Sequence, residues 1–273
     1  MTSTQNEQKE RLAIAQYVWK DRINEMGSNH KTMTVCRFMH FRACAVGGLG
    51  TIVVAALLAV ATSNPSCAWN DKTHIAIAKA AGYENWYNVT GADMAKIKAG
   101  DIEAHNHYMD TPFGAIVTSE MVMDQAARYN QVDKDGHLYG AIIASLRDFI
   151  REREKGKVGA YHLAFCAHYV GDLSQPLHSM VFSAFNKRFH AAFDAIIEDE
   201  VLDNLDKIEI YPIKIDSEAS LAREIARIAT LSVSLGYELE AQGRLISKEE
   251  AYIQIGHSAS LLKAILEYTK VKQ

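Results

Sequence analysis

Apolar residues recur along most of this chain at the three-to-four-residue spacing of helices that turn one side toward a core. Residues 71–82 carry Ile75, Ile77 and Ala78 in an Ala-rich run that Gly82 stops. Residues 91–104 hold Met94, Ile97 and Ile102 on a partly apolar face. Residues 115–130 and 137–154 read as two further helices. The turn residues Asp133, Lys134, Asp135 and Gly136 separate them; the run opens like a calcium loop but has no later acidic ligand at the right spacing, so it is read as a plain turn. An apolar helix is predicted over 159–173, with Pro176 beyond its end. Helices over 188–206, 216–242 and 247–271 complete the pattern, the last two long, amphipathic and read as bundle core. Only 207–215 alternates like a strand, and Pro212 makes it an extended connection. The fold class predicted is all-α, a single multi-helix domain.

The first 68 residues follow a different pattern. Residues 1–32 form a polar extension. Residues 43–62 carry no charge and are long enough to span a bilayer. Arg37 and Arg42 precede them, and Ser66-Cys67-Ala68 follows. A basic flank, an apolar run and a small-residue cleavage site make a secretory signal peptide, with cleavage after Ala68. The expected location is therefore secreted or periplasmic, or membrane-anchored if the segment is left uncleaved. The domain division is a leader at 1–68 and one helical domain at 69–273.

Composition adjusts this picture in three ways. The 273 residues are 48% hydrophobic and 23% charged, which excludes a disordered chain and a polytopic membrane protein. The net charge is −4, and because the leader holds 7 Lys+Arg and 4 Asp+Glu, the remainder has 22 against 29 and a net charge of −7. No broad basic surface of the kind a duplex-DNA binder needs is present. Of four Cys, only Cys166 lies outside the leader, and its apolar neighbours mark it as a buried, inert thiol.

The chemistry-bearing residues are His and Asp. His168 and Asp172 are four apart on one predicted helix, so they share a face, and His178 follows just past Pro176. His190 and Asp194 repeat the spacing. Asp101, His105 and His107 lie upstream in GDIEAHNHYMD, and His74 follows Trp69 by five positions. Nitrogen and oxygen donors without thiolate suit a catalytic metal such as zinc. His162 lies well round the helix from His168 and reads as a packed or hydrogen-bonded residue.

The run HYVGDLSQPLH, from His168 to His178, resembles the signature of zinc-dependent phospholipase C; Val181 stands where that signature has Asn. The same helical fold and three-zinc cluster serve the single-strand-specific zinc nucleases. The resemblance implies three zinc ions in the mature form. It implies that the free amino group and carbonyl oxygen of an N-terminal Trp69, with His74, hold one of them. Asp101, His107, His168 and Asp172 would hold the second, with Asp93 as the alternative to Asp101. His178, His190 and Asp194 would hold the third. His107 is preferred to His105 because His107-Tyr108-Met109-Asp110 matches the family's context. Asp101 is the expected general base for an activated water.

The function expected on this resemblance is a secreted phosphodiester hydrolase of phospholipase C type, acting on phospholipid with transient contact at the membrane surface. The alternative is a nuclease on single-stranded nucleic acid, for which the Trp-to-His spacing of five and Asp at 194 speak. Tyr83, Trp86, Tyr87 and Phe113 would be its base-stacking candidates, although core packing is the simpler reading of them. A second alternative is a non-catalytic zinc-binding exported domain.

Overall fold

The computed structural model describes residues 69–271. The leader, with its extension, apolar segment and cleavage site, lies outside the described residues. The described part is all-α. Nine helices follow in order: α1 Asp71–Ala80, α2 Gly91–Ala99, α3 Asp101–Ala104, α4 Ser119–Ala126, α5 Leu138–Glu154, α6 Ala160–Leu173, α7 Ala184–Asp194, α8 Glu218–Gln242 and α9 Lys248–Val271. Short 3₁₀ turns at Trp86–Asn88, Pro176–His178, Val201–Asp203 and Leu205–Lys207 join them. Among the described residues there is no strand, only an isolated bridge between Met109 and Gly136. None of these helices is long and apolar enough to cross a membrane.

α6 is the central helix. Its sequence is apolar nearly all round, and a helix of that kind is stable only when enclosed. Leu163, Ala164 and every residue from Cys166 to Leu173 are buried. α5 packs most extensively against it, and α1, α2, α8 and α9 also touch it. The chemistry-bearing His168 and Asp172 therefore project from a helix enclosed by its neighbours.

The helix ends have local causes. Thr118 and Ser183 accept hydrogen bonds from Met121 N and Asn186 N at the starts of α4 and α7. Ser217 and Ser220 form a reciprocal cap at the start of α8, and Gly243 ends it in the left-handed region at φ 62°. The predicted helix over 91–104 is two helices, because Gly100 takes φ 56° between them. The predicted helix over 188–206 begins earlier, at the Ser183 cap, and ends at Asp194. Residues 133–136 form the expected turn, closed by Gly136 N donating to Asp133 O.

Two smaller readings also meet the structure. Cys166 is fully buried against Ile142 O, and burial pushes its thiol up to about 12. Of the aromatics read as core, Tyr83 is buried, but Tyr87 is 59% and Phe113 81% exposed. The core reading fails for these two because each sits on a connecting segment beyond a helix end.

Candidate metal centre

Six separate pieces of chain converge on one buried site. α1 supplies His74, α2 supplies Asp93, and the segment after α3 supplies His107. α6 supplies His168 and Asp172. The 3₁₀ turn Pro176–His178 and helix α7 supply His178, His190 and Asp194. Their donor atoms fall into three groups that can hold a metal ion: His74 with His168 and Asp172; Asp93 with His107 and His168; and His178 with His190 and Asp194.

His168 is shared by the first two groups, and Asp172, with no solvent exposure, reaches from the first toward the imidazoles of the second. His74 Nε2 lies 3.2 Å from its Oδ1, and His107 Nδ1 and His168 Nε2 lie 2.9 and 3.5 Å from its Oδ2. Asp93 Oδ1 lies 3.6 Å from His168 Nε2 and 3.8 Å from His107 Nδ1. Donors around a tetrahedral zinc, each at about 2.0–2.1 Å, stand roughly 3.3 Å apart, so this spacing fits the group. The rings of His74 and His168 stack at 3.9 Å and 12°, which fixes both.

The hydrogen bonds on the far sides of the rings decide what the near sides present. His168 Nδ1 donates to Val89 O at 2.9 Å, which turns its Nε2 toward two carboxylates. His107 faces carboxylates with both nitrogens, Glu103 Oε1 at 3.2 Å and Asp172 Oδ2 at 2.9 Å, and a neutral ring has one proton for the two. Burial works to lower the His168 pKa, but Asp172 and Asp93 outweigh it and push it up to about 9. Burial likewise opposes ionisation of Asp172 and Asp93. The imidazoles outweigh it, aided at Asp93 by Lys96, and hold both carboxyls below the ordinary range. The site is arranged to attract positive charge.

The third group makes the same demand more sharply. His178 Nδ1 donates to His107 O at 2.6 Å, and His190 Nδ1 donates to Asn186 Oδ1 at 2.6 Å. Asn186 is oriented by its own Nδ2 donating to Leu177 O at 2.7 Å. Both remaining Nε2 atoms are therefore lone pairs, and they face each other at 2.8 Å. Burial lowers these pKa values to about 4 and about 3, with His178 also acting on His190, so both rings are neutral at physiological pH. Two facing lone pairs at that distance repel unless a cation lies with them. Asp194 Oδ2, 3.7 Å from His190 Nε2, completes the group.

Unpartnered atoms test the fit independently. Eight buried side-chain polar atoms among the described residues lack a hydrogen-bond partner, and five belong here: His74 Nδ1 and Nε2, His168 Nε2, Asp172 Oδ1 and Asp93 Oδ1, the last met only by the Lys96 ammonium at 2.7 Å. Buried polar atoms are nearly always satisfied, so a cluster of orphans fits a place where an ion could sit. Outer partners hold the donors in place, as metal-ligating imidazoles require. Glu103 is the one that sequence reasoning missed. It is buried, it faces His107 Nε2, and it accepts from Tyr169 OH at 2.6 Å and Asn106 Nδ2 at 3.2 Å. The signal was its place four residues before His107.

One expected ligand stands elsewhere. Asp101 is exposed at the start of α3 and joins none of the three groups. The left-handed turn at Gly100 rotates α3 away from α2, and Asp93 occupies the position expected of Asp101. Trp69 is fully buried, its indole donating to Ser174 Oγ at 3.4 Å, while the next residue's Asn70 N donates to Asp194 O at 3.3 Å. This ties the start of the described chain to the end of α7. His105 and His162 lie outside the groups; His105 Nδ1 accepts from Asp133 N, and His162 lies 4.0 Å from Asp148.

The cluster opens into a cleft of about 570 Å³, whose walls include Lys96, Asp101, Tyr108, Phe182, His178 and His190. Comparison of the chain with protein-family models, with curated proteins and with solved structures finds no match. The placement of the two aspartates gives a direct expectation. Asp93→Asn loses metal from the middle group, whereas Asp101→Asn keeps the full content; elemental analysis of the two purified variants checks it.

Proposed function

We propose that this chain is an exported zinc-dependent phosphodiester hydrolase that cleaves phospholipid head groups in the manner of phospholipase C. The observation that carries the reading is the third group's pair of facing imidazole lone pairs, joined to orphaned carboxylates at the inner end of an open cleft. Donors of nitrogen and oxygen only, with no thiolate, suit catalytic zinc. The run from His168 to His178, with its resemblance to the phospholipase C signature, supplies the reaction class.

Zinc bound in such a cluster offsets phosphodiester charge and lowers the pKa of water toward about 7. The protein's own groups do the rest. Lys96, 2.7 Å from Asp93, adds a positive charge on the cleft wall for an anionic diester. Asp93, the carboxylate inside the cluster, takes over from Asp101 as the group placed to accept a proton from water. Tyr108 and Phe182 give the cleft apolar walls that orient the rest of the substrate.

Those two rings also support the second reading, a single-strand nuclease, because flat aromatic walls accept bases. Purified protein is assayed on phosphatidylcholine, a nitrophenyl phosphodiester and single-stranded DNA. Turnover of the first two supports the proposal, and turnover of DNA without lipid supports the nuclease. Zinc-loaded protein inert on all three is a non-catalytic zinc-binding domain. The resemblance further assigns the Trp69 amino group to the cluster, a role open to it only once Ala68 is removed. Protein beginning at Trp69 is then expected to hold more zinc than unprocessed protein; equal zinc per chain refutes that role.

A further inference from the structure

Behind His107 a buried polar network leads away from the metal groups. Glu103 Oε1 stands 3.2 Å from His107 Nε2 and accepts from Tyr169 OH at 2.6 Å, while Glu103 Oε2 accepts from Asn106 Nδ2 at 3.2 Å. The Asn106 amide is held in one orientation. The backbone N of Asn130 can only donate, and it donates to Asn106 Oδ1 at 3.3 Å; His137 Nε2 meets the same oxygen at 2.8 Å. Asn106 Nδ2 also donates to Asn130 Oδ1 at 2.9 Å. Glu103, Asn106, Tyr169 and His137 are all buried, so these side chains and not bulk water set one another's partners.

The opposite nitrogen of His107 faces the metal groups. Nδ1 lies 2.9 Å from Asp172 Oδ2 and 3.8 Å from Asp93 Oδ1. A neutral ring has one proton and therefore two arrangements. A proton on Nδ1 points at Asp172 and closes that nitrogen to an ion. A proton on Nε2 is accepted by Glu103 and leaves Nδ1 as a lone pair.

We infer that Glu103 is a positioning residue that selects the metal-binding form of His107: by accepting the Nε2 proton it keeps Nδ1 open to the ion of the middle group. The inference rests on the metal-holding reading of the site and is independent of which phosphodiester is cleaved. Chemistry at position 103 then matters more than size. Asn106 Nδ2 requires an acceptor on the Oε2 side. In Glu103→Gln that demand turns the amide oxygen to Asn106 and the amide nitrogen toward His107. An amide nitrogen can only donate, so His107 Nε2 becomes the acceptor, the ring proton sits on Nδ1, and the ion loses its donor. Glu103→Ala instead opens room for a water, which can accept from Nε2 as the carboxylate does.

The test measures zinc affinity by competition with a chelator in the wild type, Glu103→Gln and Glu103→Ala. Glu103→Gln is expected to weaken zinc binding by the middle group about 10–100-fold, the usual cost of losing an outer partner of a ligand. Glu103→Ala is expected to weaken it less. A carboxylate that only fills space predicts the reverse order, because alanine removes more packing. That reverse order, or unchanged affinity in Glu103→Gln, overturns the inference. Long-range proton–nitrogen NMR spectra of histidine-labelled protein read the ring itself, with His107 identified by its absence from a His107→Gln variant. Its proton is expected on Nε2 in the zinc-loaded wild type and on Nδ1 in Glu103→Gln. A proton on Nδ1 in the zinc-loaded wild type, or on Nε2 in Glu103→Gln, also overturns the inference. Wild-type protein that takes up no zinc removes the metal reading itself, and the role of Glu103 with it; zinc-loaded wild type beside an equally tight Glu103→Gln removes the role of Glu103 alone.

Discussion

Gly171→Ala is expected to disable the metal centre without touching a ligand. A Cβ at position 171 would stand 2.4 Å from His74 Nδ1 and 2.6 Å from its Cε1. α6 cannot withdraw, because it is enclosed on all sides. The His74 ring cannot yield toward His168, on which it already stacks. It must leave, and the first group then loses a donor. Overpacking of this kind costs about 1–3 kcal/mol, so the domain still folds while the cluster comes apart. The expected result is loss of metal from the first group and a fall in turnover of about a hundredfold or more, as for displaced catalytic groups. Gly91→Ala is the control: its added Cβ meets only Phe165, at an ordinary 3.5 Å, and metal and activity should be retained. Full metal content in Gly171→Ala would refute the placement of His74.

Stripping the metal should have the larger effect on stability. The metal-free site keeps the His178 and His190 lone pairs face to face and leaves the buried carboxylates to the His168 ring and, at Asp93, to Lys96. A ligand at a thousandfold its Kd stabilises by about 4 kcal/mol, and in a domain of this size each kcal/mol shifts Tm by roughly 2–4 °C. Chelation is therefore expected to lower Tm by about 8–16 °C for a single site held at that excess, and further for three. The metal-free protein should also respond to pH. Asp172 and Asp93 raise His168 to about 9 against the opposing effect of burial, while His178 and His190, lowered to about 4 and about 3, stay neutral above 6.5. A raised folded-state pKa stabilises fully below the unfolded value of 6.5 and loses that contribution as pH rises toward 9. Tm of the chelated protein should thus fall between pH 6.5 and 9. A Tm indifferent to chelation at every pH would contradict the reading.

How much of this was legible in the sequence varied with the kind of signal. The helical periodicity carried the all-α class and most helix spans, because amphipathic faces repeat regularly. The two i, i+4 pairs, His168/Asp172 and His190/Asp194, were readable because a single helix holds both members of each. Asp93 was the harder residue. It reaches His107 past a break between two helices that depends on the positive φ of Gly100, and an unbroken helix over 91–104 gave no hint of that rotation. Glu103 was passed over because it is a supporting carboxylate and not a ligand, although its spacing to His107 was visible. The exposure of Tyr87 and Phe113 depends on tertiary packing around short connections, which residue type does not encode. Gly171 carries no chemistry of its own, and its importance emerges only when α1 lays His74 against it.

Everything above turns on whether these His and Asp side chains hold zinc. Anomalous diffraction from crystals of the purified protein, measured on either side of the zinc edge, tests it most directly. The predicted result is zinc peaks within the three groups, centred on His74–His168–Asp172, Asp93–His107–His168 and His178–His190–Asp194. No zinc peak in these groups from zinc-supplied protein, with the His178 and His190 nitrogens still face to face, would contradict the account.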